Sequence, residues 1–591
     1  MKYDFTSIMD RRGKDAIAVD ALGGMPGFTP DAPKLGFDVI PMWVADMNFP
    51  TVPTIPEAII ERAKHPAFGY FMPSQEYYGS IIKWHTVRNG VTGLTQDCIG
   101  YENGVLGGVV STLTAFAAPG DAVLIHSPTY VGFTSCVENN GFKIVHSPLK
   151  RDEDGIWRMD FEDMDAKIKA NQIHVAIFCN PHNPCGRVWE RWEIEKAMEV
   201  YKNNDCIVIS DEIWSDIILN GHKHIPTQSV SEDARNRTAA FYAPSKTFNL
   251  AGLVGSYHII YNKYLRDRIT AKGSKPHYND MNVLCMHALI GAYKPEGYEW
   301  VDELCEVISG NVNYACDYIN EHFEGVSVCK PEGTYMLFLD CSEWCKAHGK
   351  TIQEVEKMGW DVGVAWQDGE MFKWKDCIRM NLALPLSRVQ EAFERLDKYV
   401  FNRDPELKEP ESTVLAVGDT MEDFTYETPF AQGLTLAQTA KKASKTAVVY
   451  LRYYGCPVCQ FDIRQLAEHY SELTAGGGQI LVVLQSDPAG IAETIGPDDL
   501  PFDIICDPKG ALYVRNAVLP AQYMMNMIDA SSAQKMALVS QAGIQHGAYE
   551  GSELQLPAVF VIDAECKVTY AHYGKTITDI PSVEELAELL K

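Results

Sequence analysis

Short apolar runs alternate with amphipathic stretches along the first two thirds of the chain. The runs are typical of buried strands and cover residues 122–126, 175–179, 206–210 and 239–242. Between the second and third runs, apolar residues recur at the i, i+3, i+4, i+7 spacing of a helix with one buried face: Ile194, Ala197, Met198 and Tyr201. A strand, a helix and a strand in this order form a βαβ unit, so the pattern predicts a parallel sheet.

Each of these predicted strands ends in polar or conformationally unusual residues. The strand ends are residues 127–130, 180–183, 211–212 and 245–246. In an open α/β sheet, ligands bind beyond the carboxyl ends of the strands. The four strand ends therefore predict a single ligand site.

Residues 54–57, which read Thr-Ile-Pro-Glu, have the features of a helix start. Thr54 can cap a helix, Pro56 suits a first turn, and Glu57 can reach back to the capping residue. We therefore expect a helix to begin here with Thr54 as its cap.

The residues after 412 repeat the α/β pattern on a smaller scale. Apolar runs predict strands at residues 447–451, 480–484, 558–562 and 568–572. Cys456 and Cys459 follow the first of these strands, and a helical pattern begins at Phe461. Residues 582–590 predict a final helix whose inward face is formed by Leu586, Leu589 and Leu590.

The composition is that of a soluble globular protein. The chain has 591 residues, of which 46% are hydrophobic and 22% charged, and this excludes disordered, collagen-like and coiled-coil chains. The net charge of −27 argues against nucleic-acid binding, which needs clustered Lys and Arg. The sequence shows neither a membrane span nor the apolar region of a signal peptide. We expect an acidic, cytoplasmic protein with no nucleic-acid or membrane partner.

A polar segment, FNRDPELKEPES at residues 401–412, separates the two α/β patterns. Its two prolines and few apolar groups are typical of a linker. The sequence therefore predicts one domain at residues 1–400 and a second at residues 413–591.

The chain contains 16 cysteines, and only Cys456 and Cys459 form a C-x-x-C pair. The scattered cysteines indicate reduced thiols in the core rather than a disulfide framework. At the start of a helix, Cys456 is stabilised as a thiolate and Cys459 can resolve a mixed disulfide, so the pair predicts a redox site with a thiol partner. Inert thiols remain an alternative; zinc is disfavoured because no second ligand pair is evident, so no metal is expected.

Four residues at the predicted strand ends are candidates for chemistry. Lys246 lies among small residues, and a partly desolvated lysine can form a Schiff base with an aldehyde. Asp211 can be a helix cap or a buried carboxylate that keeps a pyridine nitrogen protonated. Asn183 can be a turn residue or a ligand, and Tyr130 can be a core residue or a ligand.

The order of these residues resembles a known family. The runs NPHNPCGRVW, SDEIW and SKTFN resemble the fold-type I pyridoxal-phosphate (PLP) enzymes of aminotransferase class I/II. PMWVADMNF and HPAFGY are similar to the cystathionine β-lyase, or C–S lyase, branch. The resemblance implies the PLP-dependent transferase fold. In that fold, an α/β large domain with a mostly parallel sheet lies at about 50–290, and a small α+β domain is formed by the N-terminal segment and about 291–400.

The resemblance also implies roles in cofactor binding. Lys246 is the Schiff-base lysine, which later moves the α-proton, and Asp211 is the partner of the pyridinium nitrogen. Asn183 hydrogen-bonds the ring 3′-oxygen, Tyr130 stacks on the ring, and Ser245 joins the cofactor-binding residues.

Further implied roles concern the phosphate and the substrate. Backbone N–H groups of Gly104, Val105 and Leu106 bind the phosphate at a helix start. Tyr70 reaches the phosphate from the neighbouring subunit, which implies a homodimer with a shared site. The residues implied to bind the amino-acid substrate are Arg379, which grips its carboxylate, Asn183 and Ala45.

The reaction implied by this branch is β-elimination, which cleaves an S-substituted cysteine to a thiol, pyruvate and ammonia. Two departures from the family pattern bear on cofactor affinity and reaction choice: Ala243 stands where many relatives carry a phosphate-binding Ser, and Trp214 where His or Tyr is usual. An aminotransferase is the alternative, and a PLP-binding regulatory protein with little turnover is a further alternative.

Residues 413–591 resemble thioredoxin-like proteins of the alkyl hydroperoxide reductase/thiol-specific antioxidant branch. Besides the C-x-x-C pair, the resemblance rests on AVGDT at 416–420, IICDP at 504–508, and Pro557, which matches a cis-proline beside the dithiol. Peroxidatic members carry Pro and Thr or Ser where this chain has Tyr450 and Tyr453. Thiol–disulfide exchange is therefore the expected activity of a thioredoxin-like α/β domain.

Overall fold

The computed structural model describes residues 1–25, 27–275, 278–403 and 411–591. By its contacts the chain divides into two compact units. The first unit comprises Met1–Asp10, Pro41–Met358 and Trp366–Asn402; the second comprises Arg11–Ile40, Gly359–Ala365 and Arg403–Lys591. The predicted linker falls largely outside the described residues, so the bounds of the two predicted domains stay a prediction.

The segment Arg11–Ile40 belongs to the second unit, although the sequence pattern places it with the first domain. Leu35 gives a physical reason. Its side chain packs against the apolar core that contains Tyr513 and Leu512 and lies against Gly510. Leu35 is half-buried, so this contact contributes less than the about 1.5–3 kcal/mol that full burial of such a side chain provides.

A seven-stranded sheet organises the first unit. Its strands, in spatial order, are Ile99–Asn103, Gly255–Ile259, Thr238–Tyr242, Ile207–Asp211, Val175–Cys179, Ala122–Ser127 and Lys143–Pro148. Only Gly255–Ile259 is antiparallel to its neighbours. The four strands predicted from the sequence are the four central parallel strands, so the expectation of a mostly parallel sheet is confirmed.

Alternate residues of these strands face opposite sides of the sheet. In Val175–Cys179, Ala176 and Phe178 belong to one apolar core, while Val175 and Ile177 belong to the other. Because both faces are covered, the strands are continuous apolar runs rather than alternating ones. This is the reason that their sequence pattern was informative.

Helices cover both faces of this sheet and continue beyond it. The longer helices between residues 54 and 396 are Thr54–Ala63, Gln75–Asn89, Val105–Phe116, Val131–Asn139, Phe161–Asn171, Arg191–Asn203, Lys263–Ser274, Val283–Ala292, Pro295–His322, Ile352–Asp361 and Leu386–Leu396. A small antiparallel sheet is formed, in spatial order, by Ser327–Val328, Met336–Asp340, Cys377–Asn381 and Gln367–Asp368.

The helix predicted at Thr54 is present, but Thr54 is not its cap. Pro53 occupies the capping position without a side-chain hydrogen bond. The Thr54 hydroxyl instead donates to the Gly291 carbonyl oxygen over 2.8 Å. The predicted cap was wrong because the hydroxyl serves a buried carbonyl of the neighbouring helix Val283–Ala292.

The second unit contains a five-stranded sheet. Its strands, in spatial order, are Asp503–Cys506, Gln479–Leu484, Lys445–Tyr450, Ala558–Asp563 and Val568–Tyr573. The first three are parallel and the last two are antiparallel to their neighbours. Its helices of at least seven residues are Pro457–Glu468, Ala530–Gln541 and Val583–Leu589. The strands and the final helix predicted here are confirmed.

No helix among the described residues combines the length and the apolar character that crossing a bilayer requires.

Candidate functional sites

A cavity of about 300 Å³ lies in the first unit where the parallel strands end. It brings together nine residues that the sequence singled out: Ala45, Gly104, Val105, Leu106, Tyr130, Asn183, Asp211, Ser245 and Lys246. Ala243 and Trp214, the two departures from the family pattern, also line it. The strand ends therefore meet in one place, as their positions in the sequence predict.

Lys246 lies in the short helix Pro244–Thr247, directly after the strand Thr238–Tyr242. Its Nζ donates a hydrogen bond to the Ala45 carbonyl oxygen over 2.8 Å. Desolvation lowers the pKa of this amine to about 8, and the charge of Arg379 adds to the shift. About one tenth of the amine is thus neutral at pH 7, far more than for an ordinary lysine, and this fraction can act as a nucleophile or base.

Asp211 is the last residue of the central strand Ile207–Asp211 and is buried. Its Oδ1 accepts a hydrogen bond from the Ile213 N–H over 3.1 Å. Burial raises the pKa of this carboxyl to about 7, despite the nearby charge of Lys246. A carboxylate in this position gains strongly from a cationic hydrogen-bond donor in the cavity.

Asn183 and Tyr130 are positioned by the loops after two neighbouring strands. The Asn183 side chain is buried, and its Oδ1 has no hydrogen-bond partner among the described residues. Tyr130 is the residue before helix Val131–Asn139, and its ring packs edge-on against Phe133 at 5.5 Å. A buried polar atom without a partner is costly, so Asn183 is arranged for a ligand.

The start of helix Val105–Phe116 provides an anion site at the cavity. The first N–H groups of a helix have no partner within that helix and point outward from its end. Gly104 precedes this helix with φ of 75°, a backbone conformation that favours glycine. The Gly104 N–H already donates to the carbonyl oxygens of Glu102 and Val254, so the N–H groups of Val105 and Leu106 are the ones that can bind a phosphate.

Arg379 lies on the strand Cys377–Asn381 and is 4% exposed. Its Nη2 donates to the Trp43 carbonyl oxygen and to Gln367 Oε1, each over 2.7 Å. Its Nε and Nη1 have no hydrogen-bond partner among the described residues. Burial lowers the pKa of this guanidinium to about 10, and two donors remain for an acidic ligand.

Tyr335 and Gln367 support this site but were not found from the sequence. The buried Tyr335 hydroxyl donates to the Ala45 carbonyl oxygen over 3.1 Å, and its ring packs against Trp214 at 4.7 Å. Ala45 thus receives hydrogen bonds from both Tyr335 and Lys246. No local pattern marks these residues, because they reach the site from the small antiparallel sheet.

Two predicted residues of this site, Arg379 and Tyr70, are not among those that line the cavity. Tyr70 is fully exposed, in an irregular segment between two helices. Its implied role in the site of a neighbouring subunit therefore stays a prediction.

The dithiol of the second unit opens helix Pro457–Glu468, as the sequence predicts. Cys456 caps this helix, and its Sγ accepts a hydrogen bond from the Cys459 N–H over 3.3 Å. A hydrogen bond from the Cys459 thiol lowers the pKa of Cys456, and the charge of Arg452 adds to this. Burial raises the pKa of Cys459. These opposite shifts favour Cys456 over Cys459 as the thiolate, and its role as the nucleophile stays a prediction.

Arg452 is a further residue of the dithiol site that sequence reasoning missed. Its Nη2 donates to Cys456 Sγ over 3.1 Å, and its Nη1 donates to the Glu553 carbonyl oxygen over 2.6 Å. The Tyr453 hydroxyl also donates to the Glu553 carboxylate. The signal was present, because Arg452 stands four residues before Cys456 in LRYYGCPVC.

The expectation of a cis bond before Pro557 was wrong. The cis peptide bonds among the described residues are Ser127–Pro128, Asn180–Pro181 and Asn183–Pro184, all in the first unit. The trans form is the more stable isomer of an X–Pro bond unless the surrounding structure favours cis.

Comparison with family models assigns the two parts of the chain separately. The model described as aminotransferase class I and II matches residues 38–396. The model described as the AhpC/TSA family matches residues 417–571.

Relatives and solved structures resemble the first of these parts. Cystathionine beta-lyase PatB of Bacillus subtilis is 34% identical over 397 residues, which are 66% of this chain and 98% of that protein. The crystal structure of cystalysin from Treponema denticola, which contains a pyridoxal 5′-phosphate cofactor, is 30% identical with a TM-score of 0.62 and covers 68% of this chain and 100% of its own. The PLP-bound C–S lyase from Staphylococcus hominis is 30% identical with a TM-score of 0.61 and covers 67% and 98%.

Proposed function

Because the chain belongs to the aminotransferase class I and II family, we propose that it is a PLP-dependent carbon–sulfur β-lyase. It cleaves an S-substituted cysteine to a thiol, pyruvate and ammonia. The similar proteins named cystathionine beta-lyase and C–S lyase support this reaction class. The observation that carries the proposal is the cavity into which the Lys246 amine, the Asp211 carboxyl and the unpartnered Asn183 Oδ1 converge.

The residues of the cavity fit PLP. The N–H groups at the start of helix Val105–Phe116 can bind its phosphate. Asp211 can pair with the pyridinium nitrogen, and Lys246 can bind the aldehyde. When bound, PLP supplies an electron sink for charge that develops on the substrate α-carbon. Asn183 lines the cavity, and its Nδ2 can donate a hydrogen bond to the 3′-oxygen of the ring.

The remaining groups bind and orient the substrate. Arg379 has Nε and Nη1 available to bind the substrate carboxylate, and its Nη2 is fixed by Trp43 and Gln367. The carboxylate is held by the guanidinium, and Lys246 Nζ takes the proton from the α-carbon. With a pKa of about 8, this amine both accepts and returns a proton near neutral pH.

The second unit supplies thiol–disulfide exchange in this proposal. Cys456 attacks and Cys459 resolves, because their pKa values are shifted in opposite directions. Tyr453 stands three residues before Cys456, where peroxidatic relatives are expected to carry Thr or Ser, and Val449, rather than Tyr450, stands where they are expected to carry Pro, so exchange is preferred to peroxide reduction. We place this exchange in a reducing compartment such as the cytoplasm, because the scattered cysteines of the sequence are typical of reduced core thiols.

A homodimer with a shared site is part of the proposal. Phe68, Tyr70 and Met72 expose large apolar surfaces within one short segment of the first unit. Contiguous exposed apolar residues of this kind mark surfaces that bind another protein. In such a dimer, Tyr70 of one subunit would be buried at the cavity of the other, where its hydroxyl could reach the bound phosphate.

A turnover assay distinguishes the lyase from its alternatives. The PLP-loaded protein is mixed with cystathionine without any keto acid, and pyruvate is measured. We expect pyruvate from the wild type and from Lys263→Ala, an exposed control, and none from Lys246→Ala. An aminotransferase needs an added keto acid before it turns over, and a regulatory PLP protein retains the cofactor without forming product; either result would refute the lyase.

A further inference from the structure

The dithiol of the second unit is covered, which restricts what can reach it. Cys456 is 0% exposed and Cys459 is 4% exposed. The cover is a loop whose Gly547 N–H donates to the Gly455 carbonyl oxygen over 2.8 Å. A Cβ placed on Gly455 would lie only 2.0 Å from the Ala548 carbonyl oxygen, so the loop lies directly on the segment that carries the dithiol.

This cover favours a small electrophile over a protein disulfide. The attacking sulfur must approach a disulfide in line with the bond that breaks. A protein disulfide brings its own backbone to within a few ångströms of the attacked sulfur, and a fully buried Sγ cannot meet it. The loop around Gly547 is exposed, and a small molecule needs it to move less than a protein disulfide does.

The groups around Cys456 are arranged for attack on sulfur. Its Sγ accepts hydrogen bonds from Arg452 Nη2 over 3.1 Å and from the Cys459 N–H over 3.3 Å. Both donors stabilise a thiolate. Cys459, one helical turn further on, is placed to attack the mixed disulfide that Cys456 forms.

When a C–S lyase cleaves a thioether, its sulfur product cannot be reduced further by this dithiol. The thiol that leaves is already fully reduced. A cysteine derivative whose sulfur carries a second heteroatom is different: a sulfoxide releases a sulfenic acid, and a disulfide releases a persulfide. Both products hold sulfur that is oxidised by two electrons relative to a thiol, and a dithiol supplies those two electrons.

Building on the proposed lyase activity, we propose that the substrate is a cysteine whose sulfur is bonded to oxygen or to a second sulfur. The Cys456–Cys459 dithiol of the same chain then reduces the small sulfenic acid or persulfide that β-elimination releases. This assigns the second unit a substrate, which is the sulfur product of the first.

The proposed reduction is balanced. The Cys456 thiolate attacks the oxidised sulfur of RSOH, an S–S bond forms and the S–O bond breaks, and the hydroxide that leaves takes a proton to become water. Cys459 then loses its proton and attacks Cys456 Sγ, which releases RS⁻; that anion takes the proton and becomes RSH. With RSSH, hydrogen sulfide replaces water. A small-molecule dithiol from outside the protein, which can pass the cover, restores the Cys456–Cys459 pair.

The test compares a thioether with its own sulfoxide, which differ only in the oxidation state of sulfur, and with a disulfide. Full-length PLP-loaded protein is reduced, freed of reductant, and given S-methyl-L-cysteine, its sulfoxide or L-cystine. Pyruvate is quantified, and the Cys456–Cys459 disulfide is measured by alkylation and mass spectrometry. We expect one disulfide per pyruvate with the sulfoxide and with cystine during the first turnover, and none with S-methyl-L-cysteine.

Three variants make the result specific. Cys456→Ser should form no such disulfide, whereas the matched variant Cys566→Ser, which alters a buried thiol outside the pair, should form it like the wild type. Lys246→Ala should form neither pyruvate nor disulfide with the sulfoxide. Disulfide formation in Lys246→Ala would show direct oxidation of the dithiol by the substrate and would overturn the inference.

Other outcomes separate the inference from the proposed function. If pyruvate forms from the sulfoxide and from cystine while the dithiol stays reduced, the lyase stands and the inference is wrong. If only the thioether yields pyruvate, the proposed substrate class is wrong. If none of the three yields pyruvate, the proposed lyase function itself fails.

Discussion

The cavity of the first unit and the dithiol site of the second satisfy their polar groups in opposite ways. Around the cavity, Asn183 Oδ1 and the Arg379 Nε and Nη1 are buried without partners among the described residues. Around the dithiol, Cys456 Sγ is hydrogen-bonded by Arg452, and Arg452 in turn donates to Glu553. The first site is completed only by a ligand, whereas the second is complete and covered.

The reactive groups of the two sites also differ in what shifts their pKa values. In the cavity, burial moves the pKa of Asp211 up to about 7 and that of Lys246 down to about 8, so that both lie near neutrality before any ligand binds. In the dithiol site, specific hydrogen bonds lower the pKa of Cys456 while burial raises that of Cys459. Substitutions should therefore alter ligand binding in the first unit and thiol ionisation in the second.

Removal of the carboxylate from Asp211 should have the largest effect. Asp211→Asn cannot keep a pyridine nitrogen protonated, so kcat for pyruvate formation should fall about 10²-fold or more. Steady-state kinetics with saturating PLP measure this, and Asp267→Asn, an exposed carboxylate, is the control. Wild-type kcat in Asp211→Asn would contradict the role of Asp211.

Substitution of Arg379 should weaken substrate binding. Arg379→Gln loses the guanidinium donors that we assign to the substrate carboxylate, and kcat/KM should fall about 10- to 100-fold, mainly through KM. The exposed Arg191→Gln is the matched control. An unchanged KM would show that the carboxylate binds elsewhere.

In the second unit, Arg452→Gln should change thiol ionisation. Loss of the guanidinium that donates to Cys456 Sγ should raise the pKa of Cys456 from about 6 to roughly 7, which lowers the thiolate fraction at pH 6 about fivefold. The pH dependence of the alkylation rate of Cys456 measures this shift. The control is Arg464→Gln, which alters an exposed arginine of helix Pro457–Glu468 and should leave the profile unchanged. An identical profile for Arg452→Gln would contradict the role of Arg452.

The smallest expected effect is on how the free energy of unfolding of the PLP-free protein depends on pH. The pKa of Asp211 is raised from 3.8 to about 7 by burial, so the folded state holds a proton that the unfolded state has lost between these values. The contribution of Asp211 to stability is therefore present at low pH and is lost as the pH rises through about 7. Asp211→Asn should not lose this stability, because an amide does not titrate in this pH range. Relative to the wild type, its urea-unfolding midpoint should be higher at about pH 8 than at about pH 5; an equal difference at both pH values would contradict the shift.

Local sequence patterns were sufficient for the residues that follow buried strands. Lys246, Asp211 and Asn183 each stand directly after an apolar run, and parallel strands bring such positions to one edge of the sheet. The C-x-x-C pair was found for the same reason. In these cases the distance along the chain between the motif and its strand is only a few residues.

Contacts between distant parts of the chain were not predictable in this way. Tyr335 reaches Ala45 across 290 residues of sequence, and Tyr453 reaches Glu553 across 100. The misassigned cap at Thr54 has the same origin, because a carbonyl 237 residues away accepts its hydroxyl. A local pattern specifies an element and its ends, but the partner of a buried polar group depends on packing.

The central claim is that Lys246 holds an aldehyde cofactor above a sheet whose carboxylate, Asp211, makes the cofactor an electron sink. The most direct measurement is the absorbance spectrum of purified protein with PLP, before and after borohydride, followed by mass spectrometry of its peptides. We expect a band near the visible edge that borohydride abolishes, with the cofactor fixed to the peptide containing Lys246, and neither signal in Lys246→Ala. A colourless protein that takes up no PLP, or a cofactor fixed to another lysine, would contradict the account.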